Sequence, residues 1–279
     1  MLEGPALSAA ERQRYLDRIQ FRGEPRPDAA TLAALHRAHL LAIPYENLDI
    51  HLGRRLTLDA RDIFRKLVDD NRGGWCYEMN GLFARVLESL GFDVRLVTGP
   101  VGRDTRGDAA EGNHLVLLVA LDETWIADVG FGDGFLEPLP MVPGAYRQGF
   151  LNYRVAQDGE RWVMHNHPYG GAASFEFTTM PRTMSDFAAK CHELQTSPSS
   201  SFVQTTICER FVSDGIIALR GLVLRRVTAA GVVDHTVATA AEYAAVLRDA
   251  FGLELAGAEG LFTTVRERHQ EWLARQATG

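Results

Sequence analysis

Cys76 is the residue whose neighbours best suit it to act as a nucleophile. It lies between two aromatic residues, at the predicted start of a helix, in the stretch NRGGWCYEMNGLFARVLESLGF (71–92). A cysteine reacts as the thiolate, and the unpaired N–H groups at a helix N-terminus lower the pKa of a thiol. Gly73 and Gly74 remove side-chain bulk, so another molecule could approach the backbone. On these residues alone, a buried core cysteine is an equal alternative.

A cysteine nucleophile needs a base, and the base needs a group that orients it. His114 opens the apolar run HLVLLVAL, and the next predicted strand, TWIADVGFG, carries Asp128. A buried carboxylate is costly unless it is paired, and an adjacent antiparallel strand offers His114 as its partner. Asp128 would then fix the tautomer of His114. The alternative is an aspartate that caps the turn into GFGDG.

The other histidines are predicted to take no part in the chemistry. His36 and His39 lie on a predicted helix and are interpreted as surface or interface residues. His165 and His167, in MHNHP, could share a strand face, but a third metal ligand is missing, so no metal site is predicted. The segment GFGDGF (130–135) precedes no helix, which argues against a dinucleotide-binding loop.

Composition indicates an ordinary globular protein of 279 residues, 46% hydrophobic and 23% charged. The net charge of −7 and the lack of a basic stripe argue against a nucleic-acid partner. No apolar run reaches the length of a membrane span, and the N-terminus lacks the apolar core of a signal peptide. We therefore expect a cytoplasmic protein. Its three cysteines argue against a disulfide framework.

The order of predicted elements indicates an α+β fold. The first ninety residues are mostly helical, with a capping box at Ser8 and Glu11 and a second cap at Asp28. The helix that starts at Cys76 is predicted to stop at Gly91. From about 92 to 180, β-rich runs predict a mainly antiparallel sheet or small barrel. Further elements are predicted over 183–195 (helix), 202–212, 215–227 and 231–237 (strands), and 239–250 and 258–275 (helices).

Taken together, these motifs resemble the arylamine N-acetyltransferase family, in its bacterial form. RGGWCYEMNGLF resembles the family's cysteine motif and IPYENLD its P-F-E-N-L segment. HLVLLV and ADVGFG resemble its histidine and aspartate strands, and QTSPSSSF (195–202) a later T-S-P-x-S-x-F segment. The segments lie in family order, with 38 positions from Cys76 to His114 and 14 from His114 to Asp128.

The resemblance implies a fold of three domains. They are an N-terminal helical bundle with the nucleophile (1–91), a central antiparallel β-barrel with the histidine and aspartate (92–195), and a C-terminal α/β lid (196–279). The core would be similar to that of the papain-like cysteine proteases and the transglutaminase-like enzymes.

The resemblance also implies a catalytic triad of Cys76, His114 and Asp128 and a ping-pong reaction. The Cys76 thiolate would take an acetyl group from acetyl-CoA, and the nitrogen of an arylamine, arylhydrazine or N-hydroxyarylamine would attack the thioester. Backbone N–H groups near Cys76 and Tyr77 are candidates for binding the oxyanion. No permanent cofactor is implied. The partners would be these small molecules, and the oligomeric state stays open, with a homodimer as one option.

Carried over by position, Tyr45, Phe131 and Phe202 would line an aromatic pocket for the acceptor, and Gly132 would allow close approach of CoA. For Tyr45, which stands where the family usually has phenylalanine, and for Phe202, a core role is an equal alternative.

Charged residues near the motifs are predicted to be structural. Arg72 and Glu78 would pair with neighbours and hold the cysteine turn, and Asn80 would bond within it. The loop 103–113 carries three acids that a CoA phosphate would avoid. The candidate cations of the lid could not be placed from sequence; they are Arg220, Arg225 and Arg226.

Rival functions remain on the same residues. One is a related acyl transfer: an amide synthase that closes a macrocycle, or a transferase of a different acyl-CoA. Another is a cysteine hydrolase or transglutaminase-like enzyme with the same Cys–His–Asp order. A third is a binding protein that keeps the aromatic cleft without catalysis, against which the intact triad argues.

Overall fold

The computed structural model describes the backbone of residues 6–277 and the side chains up to residue 270. Its N-terminal part is helical, as predicted, and both predicted N-caps are confirmed: the Ser8 hydroxyl accepts the N–H of Glu11, and the Asp28 carboxylate accepts that of Thr31. The elements are α1 (Ala9–Arg18), α2 (Ala29–Ala42), β1 (Tyr45–Glu46), α3 (Leu48–His51), α4 (Ala60–Phe64), a π-helical turn (Arg65–Asp69) and α5 (Cys76–Ser89).

Two four-stranded antiparallel sheets follow, in the order of their strands along the chain. The first contains β2 (Asp93–Thr98), β3 (Leu115–Ala120), β4 (Thr124–Ala127) and β5 (Leu139–Pro140). Between β2 and β3 lie the short helix α6 (Arg103–Arg106) and a 3₁₀ turn (Gly107–Ala110). The second contains β6 (Gly144–Gln148), β7 (Leu151–Asp158), β8 (Arg161–His165) and β9 (Ser174–Phe177).

The predicted β-barrel over 92–195 is wrong, because no closed barrel forms in the part of the chain that the structure describes. Strand β5 has two residues and ends at Pro140, which has no backbone N–H to extend the ladder. Isolated bridges instead link each sheet to a segment outside it: Leu96 of β2 pairs with Arg182, which follows β9, and Phe175 of β9 pairs with Val101, which follows β2.

The C-terminal part is a mixed α/β unit. It contains a 3₁₀ turn (Met184–Phe187), α7 (Ala188–Thr196), α8 (Ser201–Gln204), β10 (Ile207–Val212), β11 (Gly215–Arg220), β12 (Val223–Thr228), β13 (Gly231–Thr236), α9 (Ala240–Phe251) and α10 (Ala258–Ala277). Its antiparallel sheet has the order β1-β10-β11-β12-β13, so a strand from the helical part forms one edge. That strand places Tyr45 opposite Glu209.

Helix α5 is the central element of the core. Eleven of its fourteen residues are buried, so it is enclosed on nearly all sides rather than along one stripe. A second, smaller cluster packs α9 and α10 against the C-terminal sheet, with the fully buried Tyr243 and Leu247 in it. The described helices include none that is long and apolar enough to cross a membrane.

Candidate active site

Cys76 is the first residue of α5, and its side chain is buried among the core residues. Burial is the largest influence on the thiol and raises its pKa, while hydrogen bonds from the backbone N–H groups of Leu115 and Tyr77 lower it. The expectation that the helix terminus alone would favour the thiolate is therefore too simple. A thiolate at this buried position needs a positive partner close by.

His114 and Asp128 form the predicted pair. His114 directly precedes β3, Asp128 directly follows β4, and these strands are antiparallel neighbours. The Nε2 atom of His114 lies 2.7 Å from Oδ2 of Asp128, and both side chains are buried. Because a carboxylate can only accept, Nε2 carries the proton and Nδ1 is left with a free lone pair. Leu115, whose N–H reaches the Cys76 thiol, is the next residue after His114.

The second oxygen of Asp128 is held by two further donors. Its Oδ1 accepts the side-chain amide of Asn80 at 2.7 Å and the N–H of Gly130 at 2.9 Å. Asn80 also donates to the carbonyl of Leu115 and accepts the N–H of Val129. The prediction that Asn80 bonds within its own turn is wrong. It is one helical turn beyond Cys76, so it faces the same strands and ties them to α5.

His36 and His39 are fully buried, so of the two alternatives, surface or interface, the surface position is wrong. Nε2 of His36 accepts the backbone N–H of Asp128 at 3.0 Å. The spacing of Leu32, His36 and Leu40 puts all three on one helix face, which is the signal that could have revealed the burial.

Gly130 is required where the loop after β4 meets α5. A Cβ atom at this position would lie 2.7 Å from Cα of Cys76 and 2.9 Å from its carbonyl oxygen. These are backbone atoms that cannot rotate away, so the loop reaches the start of the helix only with glycine here.

Buried ion pairs hold the segment before Cys76. Arg72 donates to Glu46 at 2.6 Å and to Asp49 at 3.0 Å, and Lys66 bridges Asp49 and Glu78 at 2.9 Å each. Glu78 also accepts the backbone N–H of Trp75, at the N-cap position of α5. The pairing expected for Arg72 and Glu78 is thus confirmed. Removing one partner would leave a buried charge without compensation.

Comparison with known proteins shows the family of the chain. A model of the N-acetyltransferase family matches residues 28–260. An arylamine N-acetyltransferase from Mycolicibacterium smegmatis is 36% identical over 256 residues, covering 88% of this chain and 93% of that protein. Another, from Escherichia coli (strain K12), is 37% identical over 205 residues, covering 72% and 73%. The chain belongs to the arylamine N-acetyltransferase family.

Two further relatives bear on the choice of function within the arylamine N-acetyltransferase family. The structure of the Mycobacterium marinum enzyme in complex with CoA superposes with a TM-score of 0.82 at 32% identity, covering 91% of this chain and 97% of that one. Proansamycin X synthase from Amycolatopsis mediterranei is 34% identical over 221 residues, covering 74% of this chain and 83% of that protein.

Of the positions carried over from the arylamine N-acetyltransferase motifs, Phe131 contacts the triad at His114. Its ring centroid is 5.2 Å from that of His114, and it is half-buried. Gly132 has a φ of +75°, and a Cβ there would lie 3.6 Å from the ring of Tyr45. The ring of Phe202 meets Trp75, the neighbour of Cys76, at 5.5 Å.

A cavity of about 1030 Å³ is lined mainly by residues of the C-terminal sheet and its neighbouring segments, and neither the triad nor the four carried-over positions are in its wall. Two of the cations in its wall have acidic partners, since Arg220 contacts Glu209 and Arg225 pairs with Asp234. Outside its wall, the third cation of the lid, Arg226, pairs with Asp214. The arginines that the arylamine N-acetyltransferase resemblance left unplaced therefore all have acidic partners.

Sequence reasoning missed the buried Glu209. Its carboxylate lies against Gly132, where a Cβ would clash with Oε2, and opposite Tyr45 in the sheet. Burial, and then the charge of Asp133, raise the pKa of Glu209 above that of a free glutamate. No local sequence pattern indicates the position of Glu209, because β1 and β10 are far apart in the chain.

Proposed function

We propose that this protein transfers an acetyl group from acetyl-CoA to the nitrogen of arylamines, arylhydrazines or N-hydroxyarylamines, through a thioester on Cys76. Membership of the family supports the overall reaction. The observation that carries the mechanism is the His114–Asp128 pair, held at 2.7 Å on strands whose backbone also reaches the Cys76 thiol.

In the first half-reaction, Nδ1 of His114 accepts the proton of the Cys76 thiol. The imidazolium is stabilised by Asp128 and supplies the positive partner that a buried thiolate requires. The thiolate adds to the acetyl carbonyl of acetyl-CoA, the C–S bond to CoA breaks, and His114 returns the proton to the leaving CoA thiolate. Thioester exchange between thiols is nearly isoenergetic, so the acetyl group stays activated.

In the second half-reaction, the neutral nitrogen of the acceptor attacks the thioester carbonyl. His114 accepts the proton that the nitrogen loses, and the bond to Cys76 breaks. Hydrogen bonds from the backbone N–H groups of Leu115 and Tyr77 lower the pKa of the thiol. We propose that N–H groups at this helix start, that of Tyr77 among them, stabilise the oxyanion.

The binding residues and the domain layout are part of the same proposal. Tyr45, Phe131 and Phe202 line the acceptor pocket, and Gly132 allows close approach of CoA. Three units, 1–91, 92–195 and 196–279, act as helical, β and lid domains, around a core similar to that of papain-like and transglutaminase-like enzymes. The three unpaired cysteines suit a reducing cytoplasm, and a homodimer is compatible with this assignment.

Rapid-quench intact mass spectrometry with acetyl-CoA, and without acceptor, tests the mechanism. We expect one acetyl adduct on the wild type, which an added arylamine discharges, and none on Cys76→Ala. Cys208→Ala is the matched control, because Cys208 is equally buried but lies in the C-terminal sheet, and it should load normally. No adduct on the wild type at any quench time would contradict the mechanism.

An amide synthase is the second candidate, since proansamycin X synthase is a relative of comparable identity. The same experiment separates the two. An enzyme that loads neither acetyl-CoA nor longer acyl-CoAs, yet closes an amide within one long acyl substrate, would belong to this second class.

A further inference from the structure

One imidazole from α2 joins the two ends of the loop that carries Asp128. Nε2 of His36 lies 3.0 Å from the backbone nitrogen of Asp128, at the start of the loop. Its Nδ1 lies 3.0 Å from the carbonyl oxygen of Leu136, at the end. The side chain is fully buried. Between these two contacts the chain contains Gly130, Phe131 and Gly132.

The two partners determine the tautomer of His36. A backbone N–H can only donate and a carbonyl can only accept, so Nε2 is bare and Nδ1 carries the proton. Burial lowers the pKa of His36 to about 4, so the ring is neutral at neutral pH and keeps both hydrogen bonds. A protonated ring would carry a proton on Nε2 as well, and this N–H would face the backbone N–H of Asp128, so two donors would oppose each other.

Aromatic neighbours hold the plane of this ring. Phe135, in the same loop, stacks on it at 5.6 Å with an interplanar angle of 12°, and Phe83 of α5 meets its edge at 5.8 Å. The imidazole therefore has little freedom to follow the loop if the loop moves. It contacts the loop at three residues and α5 at one.

We propose that His36 is a positioning residue: by fixing both ends of the loop 128–136, it aims the Asp128 carboxylate at His114 and keeps Gly130 against Cys76. It touches neither the thiol nor a substrate and acts through Asp128. The proposal rests on the proposed role of the triad. It assigns to the helical bundle a direct part in the geometry of the histidine and aspartate strands.

His39 provides a matched control. It is also fully buried in α2, three residues further on, so its loss removes a similar volume from the same helix. Its ring bonds the hydroxyl of Tyr15 at 2.7 Å and approaches the sulfur of Met79 at 3.4 Å, not the loop. A role in packing alone would make the two histidines equivalent.

The experiment compares His36→Leu, His36→Gln and His39→Leu with the wild type. The glutamine side chain has an acceptor oxygen and an NH₂ donor group and can replace both hydrogen bonds, whereas leucine replaces neither. The main readout is the second-order rate of Cys76 alkylation by iodoacetamide from pH 5 to pH 9, in the absence of any substrate. The rate reports thiolate formation, and its pH profile gives the apparent pKa of the thiol. Thermal unfolding and the kinetics of acetyl loading complete the set.

We expect His36→Leu to slow alkylation at pH 7 by about tenfold or more, with a raised apparent pKa of Cys76. In acetyl loading, kcat should fall, because the loop no longer aims Asp128 at His114. His36→Gln should recover the alkylation rate to within about threefold of the wild type. His39→Leu should be alkylated within about threefold of the wild-type rate. Both leucine variants should unfold at a lower temperature than the wild type, because each loses buried contacts.

Equal alkylation rates in His36→Leu and His39→Leu, or a His36→Gln enzyme no better than His36→Leu, would overturn the proposal. If His36→Leu does not fold, ¹⁵N NMR of the histidine-labelled wild type decides instead: a charged or Nε2-protonated His36 at neutral pH excludes the bridge. Because alkylation needs no acyl donor, a failure of acetyl-CoA to load Cys76 is separable from a failure of this inference.

Discussion

At the scale of single residues, the Asp128 carboxylate has a distinct partner on each oxygen. Oδ2 accepts from His114, and Oδ1 accepts from Asn80 and from the N–H of Gly130. Three donors at a buried carboxylate leave it one orientation. The direction in which His114 presents its bare nitrogen follows from this arrangement.

Asp128→Asn should therefore lower kcat by about 10⁴-fold, the effect of the same change in another triad. The asparagine oxygen must face Asn80 and Gly130, because both donate. Its NH₂ group then faces Nε2 of His114 and forces the proton onto Nδ1, where it blocks the base. Steady-state acetylation of an arylamine measures the effect.

The control for this substitution is Asp122→Asn, in the exposed turn between β3 and β4. It makes the same chemical change on the same hairpin and should leave turnover within about twofold. Turnover of Asp128→Asn within about tenfold of the wild type would give Asp128 a purely structural role.

At the scale of elements, the site depends on how closely a loop can approach a helix. The loop after β4 reaches α5 because Gly130 has no side chain, and the ion pairs of Arg72 hold the segment on the other side of Cys76. Elements buried on nearly all sides, such as α5, transmit small displacements because their packing leaves little free volume.

Gly130→Ala should both destabilise and inactivate the protein. The new methyl group needs space that the Cys76 backbone now occupies, so the free energy of unfolding should fall by about 1–3 kcal/mol. Because the loop then shifts relative to Cys76, kcat should fall by about tenfold or more. Urea unfolding and steady-state kinetics measure the two effects.

Gly260→Ala is the matched control, because a Cβ at Gly260 meets nothing within 4 Å and the residue lies in α10. This substitution should raise the free energy of unfolding by up to about 1 kcal/mol, because alanine has a higher helix propensity than glycine. If Gly130→Ala and Gly260→Ala had the same effects on stability and kcat, close approach of the backbone at Gly130 would not be the constraint.

At the scale of the whole molecule, burial shifts the pKa values of several groups, and these values would return to their usual range on unfolding. It lowers the pKa of His36 and of His51 to about 4, and lowers that of His39 as well. Between pH 6.5 and 4 the unfolded chain binds protons that the folded chain refuses, so these histidines make stability fall as the pH falls. Glu209 acts in the opposite sense, because burial and Asp133 raise its pKa to about 7.

The free energy of unfolding of Glu209→Gln should therefore fall more steeply with falling pH than that of the wild type. In the wild type, a folded state that keeps Glu209 protonated loses stability as the pH rises from about 4.5 to 7, and the variant has no such loss. The free energy of unfolding of the variant, minus that of the wild type, should rise with pH by up to about 1.4 kcal/mol per unit.

Urea titrations at half-unit steps and fixed ionic strength measure this difference. Glu137→Gln, which removes a carboxylate that is 45% exposed, is the control and should give a difference with little dependence on pH. A flat difference for Glu209→Gln would mean that Glu209 is ionised in the folded protein across this range.

Much of the site followed from the sequence by itself. The cysteine turn, the histidine at the mouth of an apolar strand and the aspartate inside the next one are local signals, because a polar group in an apolar strand requires a partner nearby. The helix caps at Ser8 and Asp28 are also local, since a cap bonds within three residues. These features depend on neighbours in the chain.

Only the tertiary structure decided the rest, because those contacts join residues far apart in the chain. His36 meets Asp128 across 92 positions and Asn80 meets it across 48, and neither pair has a local pattern. The sheets stay separate instead of closing a barrel, and β1 crosses into the C-terminal sheet to bring Tyr45 opposite Glu209. Strand pairing of this kind depends on which edges remain free once the core has packed, and a linear sequence does not display that.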